Sequence, residues 1–224
     1  MSPEERMWIE LDRFNKVKGI FHKSSAKKAE EKKKEKYTWQ QNVALYLHDM
    51  IFMLVVVMAV LMLFFRIIVV DGPSMESTLL NGDYMLLVSN MFYKNPSYGD
   101  VVVVSKQAYD NGKPIVKRII ATEGQTVDID FAEGIVYVDG VALDEPYTKT
   151  LTTLQEGNAF PQVVEPGKVF VMGDNRNNSK DSRSPQIGQV DKREVLGKVM
   201  YILFPGTGMK GTQPRDYSRI GAVK

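Results

Sequence analysis

Cysteine is absent from the 224 residues, and histidine nearly so: His22 and His48 are the only two. Without cysteine there is no disulfide and no thiolate metal site. That absence leaves the redox compartment open, since an exported domain can do without cysteine as readily as a cytosolic one. Both histidines lie early, so residues 49–224 cannot build a His-ligated zinc site, and any metal there would need oxygen ligands. No metal and no cofactor is expected. A strong charge of one sign is missing too, the net being +2. Lys and Arg outnumber Asp and Glu by 11 to 8 over residues 1–49 but trail them by 17 to 19 over residues 67–224. With no global basic character, nucleic acid is not an expected partner. The composition sets no oligomeric state. The length suits one soluble domain plus an anchor, and a hydrophobic content of 44% suffices for a core.

What is present is an unbroken apolar run, Met50 to Phe65. Extended back to Ala44 it is interrupted only by His48 and Asp49, and at about 1.5 Å per residue it spans roughly 30 Å, a hydrocarbon core's thickness. A buried core helix is the alternative, but sixteen uninterrupted apolar residues exceed one helix face. A cleaved signal peptide is another. The run begins too deep for that, however, and Arg66-Ile67-Ile68-Val69-Val70 holds no small-x-small cleavage site. The expectation is an uncleaved anchor. Lys23, Lys27, Lys28, Lys32, Lys33, Lys34 and Lys36 precede it, so the positive-inside rule places that side in the cytoplasm. Tyr37, Trp39 and Tyr46 suit an aromatic belt, and Arg66 can snorkel at the other boundary. The expected organisation is a cytoplasmic segment 1–43, a membrane helix 44–66 and an extracytoplasmic domain 67–224. In the first segment, Met7, Trp8, Leu11, Phe14, Val17, Ile20 and Phe21 recur at helical spacing, fitting an in-plane amphipathic helix or one packed on a partner. The Lys/Glu run from Ala26 to Lys36 reads as a solvated helix or linker.

Beyond the anchor the pattern turns to short β-branched runs: 84–88, 101–104, 115–121, 168–172 and 199–204. Ile135–Val138, Asp139-Gly140 and Val141–Leu143 read as a hairpin with a two-residue turn. Runs this short, punctuated by Gly, Asn, Asp and Pro, predict a mainly β domain of coiled or closed antiparallel sheets following one N-terminal membrane helix. Residues 144–167, with Pro146, Gly157, Pro161 and Pro166, are expected to be a looser excursion between strands.

Nine residues past Phe65 stands Ser74. If the span crosses a bilayer, no histidine can reach it, and an unaided serine hydroxyl is a poor nucleophile. A lysine can serve as its base once burial lowers the ammonium pKa. Lys117 suits this role, flanked by Ile115, Val116, Ile119 and Ile120, with Arg118 on the opposite face of the strand. Taken singly, Ser74 reads better as a turn serine and Lys117 as an edge-strand or surface lysine.

Their company is more specific. Gly72-Pro73-Ser74-Met75-Glu76-Ser77-Thr78-Leu79 resembles the G-x-S-M-x-P-T-L box of bacterial type I signal peptidases. Lys117-Arg118-Ile119-Ile120-Ala121 with Gly124 is similar to their lysine box. Gly173-Asp174-Asn175-Arg176-Asn177-Asn178-Ser179-Lys180-Asp181-Ser182-Arg183 resembles their G-D-N-R-x-x-S-x-D-S-R box, with eight positions matched in eleven. The resemblance covers about residues 40–205 and suits the Gram-positive, single-span form. It implies the signal-peptidase β fold and a membrane-anchored serine endopeptidase acting on signal-peptide-bearing preproteins at the lipid surface. Ser74 would attack the scissile carbonyl, and neutral Lys117 would accept its proton and return it to the leaving amine. Ser179 would hydrogen-bond the lysine amine. Asp181 would pair with Arg183 and with Arg118, and Asp174 would be structural.

Three departures stand out. Gly72 replaces the Ser or Thr that many relatives use as an oxyanion donor, leaving the backbone N–H of Ser74. Ser77 stands where proline is usual, which is expected to loosen the turn. The stretch Ser184-Pro185-Gln186-Ile187-Gly188 is longer than the common ending of the third box. Nine residues reach at most about 30 Å, so the site would stay near the membrane, where a preprotein held by its signal helix presents its own cleavage site. The substrate would bind extended along a sheet edge, small pockets selecting residues such as alanine. A processing peptidase for one dedicated exported substrate, a self-cleaving repressor-type Ser/Lys protease and a catalytically silent anchored β-domain that binds exported proteins are the competing readings. The span and the lack of a DNA-binding domain weigh against the repressor type, and the paired Ser74 and Lys117 against the silent domain.

Overall fold

A computed structural model describes Lys16, Lys18, residues 38–211 and residues 213–223. The chain forms two compact units, Met1–Val57 and Met58–Lys224. The expected amphipathic helix and Lys/Glu run of the first 36 residues lie, Lys16 and Lys18 apart, outside the described residues.

Helix α1 (Trp39–Phe64) begins five residues earlier than the apolar run suggests. Thr38 and Gln41 close a reciprocal cap: the Gln41 N–H reaches Thr38 Oγ1 at 3.4 Å, and the Thr38 N–H donates to Gln41 Oε1 at 2.8 Å. Among the described residues α1 is the one helix long and apolar enough to cross a membrane, and none of its residues is buried.

Strand β1 (Phe65–Val69) follows directly. Then come β2 (Tyr84–Ser89), β3 (Val101–Val104), β4 (Ile115–Thr122), β5 (Thr126–Asp130), β6 (Ile135–Val138), β7 (Val141–Ala142), β8 (Gln162–Val163), β9 (Lys168–Met172), β10 (Val190–Asp191), β11 (Val195–Phe204) and β12 (Gly221–Ala222). One antiparallel sheet has the order β1-β2-β11-β3-β4-β9-β10, with β12 also on β11; the other has the order β7-β6-β5-β8. Both sheets are open. The predicted hairpin is present: Tyr137 and Val138 pair with Ala142 and Val141. Asp139 (φ 52°) and Gly140 (φ 79°) both take the left-handed conformation that such a two-residue turn requires.

Alternation explains the core. In β2, Met85 and Leu87 point inward with Val101, Val103 and Val199. The four valines of β3 are all buried because both faces of this central strand are covered: Val102 and Val104 join Ile119, Val169, Val171 and Ile187 on the other side. Phe170 and Met172 of β9, with Ile120 and Ala121 of β4, pack on Val127, Ile129, Val136 and Val138, which locks the second sheet to the first.

The large sheet must curl. In its order β1 and β4 are separated by β2, β11 and β3, about 19 Å in a flat sheet at 4.8 Å per strand. Yet residues 68–71 and 114–117 line one cleft. Twist and the register shifts of β11 at Val195/Gly197, Val199/Tyr201 and Ile202/Phe204 bring these distant edges together.

Candidate active site

The cleft, about 270 Å³, is lined by Ile68 to Asp71, Ser74, Met75, Val103 and Lys113 to Lys117. Strand β1 is terminal in its sheet, and β4 has a free edge at Ile115–Lys117, because β9 joins it only from Arg118 onward. Among the described residues, the outer edge of β1 and this stretch of β4 pair with no further strand, and both border the cavity.

Ser74 stands in the turn after β1. Met75 and Leu79 anchor this turn in the core, and Gly72 (φ 105°) takes a backbone conformation suited to glycine. The Gly72 N–H is already spent on Asn81 Oδ1 at 2.9 Å. The Ser74 N–H has no partner among the described residues and remains free to bind an oxyanion.

Lys117 sits mid-β4 with 3% of its surface exposed. Its Nζ is 2.8 Å from Ser74 Oγ and 3.0 Å from the Val116 carbonyl. Burial lowers its ammonium to about 8; the Asp181 and Asp174 carboxylates push the other way, and the Arg183 guanidinium again lowers it. A lysine near 8 is substantially neutral just above neutral pH and can accept the Ser74 proton.

The 173–183 segment forms the wall behind this pair. A Cβ on Gly173 would lie 2.3 Å from Ser179 Oγ and 2.5 Å from the Ser74 carbonyl oxygen, so only glycine fits. Ser179 is brought to Asp181, with Oγ donating to Oδ2 at 2.8 Å; the hydrogen bonds of Lys117 Nζ go instead to Ser74 and Val116. Asp181 is fully buried, receives Arg183 Nε and Nη2 at 2.9 and 2.8 Å, and accepts the Gly173 N–H at 3.0 Å. Burial pushes its carboxyl up, but Arg183 and that N–H outweigh burial and hold it below the usual carboxylate range. The carboxylate that clamps Arg118 is Asp174, not the expected Asp181, through Nε and Nη2 at 2.9 and 2.7 Å. Alternation along β4 turns Arg118 away from Lys117, and Asp174 meets it there while accepting a hydrogen bond from Thr78 Oγ1 at 2.5 Å.

Several supporting residues were not anticipated. Asn175 pins the nucleophile turn twice, its N–H on the Ser74 carbonyl at 3.0 Å and its Nδ2 on that of Pro73 at 3.1 Å. Asn175 and Thr78 lie inside the quoted boxes, which was signal enough to find them. Glu145 carried no such signal. It grips the buried Arg176 through both carboxylate oxygens at 2.6 and 2.7 Å, and Arg176 Nε holds the Gly173 carbonyl at 3.0 Å. Residues 144–161 contain no strand or helix, yet they are strapped to the third box. The Lys149 N–H binds the Asp174 carbonyl, Asn177 Oδ1 accepts from Thr153 and Leu154, and Arg183 Nη1 holds the Leu154 carbonyl. Ser77 belongs to the same fastening. It has φ 105°, which proline cannot adopt, and its Oγ donates to the Tyr147 carbonyl, so the turn is pinned rather than loosened. The 184–188 stretch folds against the core through fully buried Ile187, and Lys106 holds the carbonyls of Ile187 and Gln189.

Comparison with known proteins gives a consistent result. The family described as "Signal peptidase, peptidase S26" matches residues 43–204. A probable signal peptidase I-1 of Synechocystis is 37% identical over 146 residues, 62% of this chain and 70% of that protein. Signal peptidase I S of Bacillus subtilis is 34% identical over 155 residues, 64% of this chain and 79% of that protein. A signal peptidase I of Enterococcus faecalis, known from its crystal structure, is 29% identical, with 47% of this chain and 97% of that one covered and a TM-score of 0.38.

Proposed function

Because the chain belongs to the signal peptidase family, peptidase S26, we infer that it is a membrane-anchored serine endopeptidase that removes signal peptides from preproteins, with Ser74 as nucleophile and Lys117 as its base. The observation that carries the assignment of residues is the 2.8 Å approach of Ser74 Oγ to a lysine Nζ that is 3% exposed.

The preprotein lies extended in the cleft between β1 and the free edge of β4, its backbone pairing with theirs. Neutral Lys117 accepts the Ser74 proton as Oγ attacks the scissile carbonyl. The oxyanion forms against the Ser74 N–H. Its collapse breaks the C–N bond, and Lys117 returns the proton to the leaving amine, leaving an acyl-enzyme on Ser74. Lys117 then takes a proton from water as it attacks the acyl carbonyl, and passes that proton to Ser74 Oγ as the signal peptide carboxylate is released. Asp181, Arg183, Ser179, Asp174 and Arg118 hold the two reacting side chains in register without touching the substrate. Helix α1 is the anchor, residues 1–43 are cytoplasmic and the β-domain acts on the extracytoplasmic face. The lysines before the span support that orientation.

The test is separate substitution, Ser74→Ala and Lys117→Met, in the full chain assayed on a preprotein in detergent. Each is expected to lower kcat by a factor on the order of 10⁴ or more while the fold is retained. Near-normal cleavage by either variant would sink the assignment.

A further inference from the structure

The mouth of the cleft is bridged by an ion pair. Asp71 follows β1 on one lip, Lys113 precedes β4 on the other, and Lys113 Nζ meets Asp71 Oδ2 at 2.8 Å. Both side chains are solvent-accessible, 56% for Lys113 and 72% for Asp71, so neither is required for the core. The lysine is presented by a preshaped loop. Asp110, Asn111 and Gly112 have consecutive φ values of 46°, 53° and 79°, and Ser105 Oγ donates to the Gly112 carbonyl at 2.7 Å. Two of these left-handed residues are not glycine, a conformation the chain adopts at some cost. The result is one cation on one lip, facing one anion on the other, over the path of an extended substrate.

Asp71 lies three residues before Ser74 and Lys113 four before Lys117. Along the extended approach to β4, about 3.3 Å per residue places Lys113, and with it Asp71, roughly 13 Å in chain reach from Lys117. We propose that Asp71 and Lys113 form a charge gate that disfavours substrates with a charged side chain about four or five residues before the scissile bond. The proposal rests on the reading of Ser74 and Lys117 as the reacting pair. A charged substrate residue of either sign can pair with one member only by displacing the other, and it then leaves a like charge beside itself. An uncharged residue passes without disturbing the bridge. Removing one member turns a filter blind to sign into a sign-specific one. Lys113 alone favours an acidic residue there, and Asp71 alone a basic one. Because the groups are exposed, each effect is on the order of two- to five-fold and screened by salt.

The experiment uses the full chain in detergent with internally quenched peptides. These have small residues at the cleavage site and at the third position before it, and Ala, Asp or Lys in turn at the fourth and fifth positions. At one of these positions the wild type is expected to cleave the Ala peptide about two- to five-fold better than either charged peptide, by kcat/KM. Asp71→Asn should shift the preference towards Asp by about that factor, Lys113→Gln towards Lys, and the exchanged pair Asp71→Lys with Lys113→Asp should restore the wild-type order. All three differences should shrink at about 0.5 M salt. Wild-type cleavage with the charge preference unmoved in both single variants, or moved in the same direction, overturns the gate alone. A wild type that leaves the Ala peptide intact, or a Ser74→Ala variant that still cleaves it, overturns the catalytic reading and the gate with it.

Discussion

Lys117 should cost the protein stability at neutral pH, and by an amount that depends on pH in a defined way. Its ammonium falls from an ordinary value of 10.5 to about 8, chiefly because burial disfavours the charge. The unfolded chain therefore binds more protons than the folded one between these two values, and stability rises with pH across that window. Below about 8 both states are protonated and the full cost is present; above about 10.5 both are neutral and the cost is gone. Worked through, the penalty is about 3 kcal/mol at pH 7, about 2 at pH 9 and about 1 at pH 10. Lys117→Met keeps the apolar stem and removes the titrating group. The expected outcome is an inactive variant more stable than the wild type near pH 7, with a margin that narrows as pH rises to 10. The lost hydrogen bonds of Nζ to Ser74 and Val116 offset the margin by a constant amount, so its slope is diagnostic rather than its size. Urea midpoints of both proteins in the same detergent at pH 7, 8, 9 and 10 measure it. For the wild type, kcat/KM should rise through an acid limb centred near 8. A stability difference that stays flat from pH 7 to 10 would refute the idea that a buried, depressed lysine sits at the site.

Further outcomes concern the surrounding wall and the nucleophile turn. Asp181→Asn leaves Arg183 buried without its anion and should cost about 3–5 kcal/mol by urea unfolding at pH 7. In the wild type, Asp181 is held below the usual carboxylate range, so its share of stability is present above the ordinary carboxylate pKa and is lost as pH falls through the depressed value. Ser77→Gly accepts φ 105° without strain but loses the bond to the Tyr147 carbonyl, so its stability should stay within about 1 kcal/mol of the wild type. Ser77→Pro cannot keep that turn and should lose about 3 kcal/mol or more, measured as a drop in urea midpoint.

The sequence was most legible where one face or both were buried. Val101–Val104 and Lys168–Met172 coincide with their strands because β-branched and aromatic runs with both sides covered leave a plain signal. Thr126–Asp130 was missed because its alternation places Asp128 and Asp130 on the exposed face, diluting a five-residue run. Phe65–Val69 was missed for the opposite reason: it continues the apolar run of α1, so hydropathy alone marks no boundary between membrane helix and strand. In the site, residue types could be read but partners could not. Arg118 has carboxylates at both Asp174 and Asp181 within one loop, and only the side-chain directions on β4 and the path of that loop direct it to Asp174. The strap of residues 144–161 reads as a loop in sequence because its order comes from hydrogen bonds to the third box rather than from its own periodicity.

A lysine base sets a conflict that this wall resolves. Holding Ser179, the Gly173 N–H and Thr78 in place calls for carboxylates, and Asp181 and Asp174 supply them. A carboxylate near the lysine also stabilises the ammonium. Both carboxylates act on Lys117 in that direction. Left bare, they would raise Lys117 further and deplete its lone pair at neutral pH. Each is instead matched by an arginine in a two-point pair, Arg183 on Asp181 and Arg118 on Asp174. The arginines fix the carboxylates' geometry, and Arg183 also opposes their field at the base. Burying four charges so close together is a poor way to gain stability, because the desolvation cost about equals the attraction. It is a sound way to keep a neutral lysine beside acids that have to be there. That is why the paired Asp and Arg positions of the third box belong to the chemistry of Lys117 although none of them reaches Ser74.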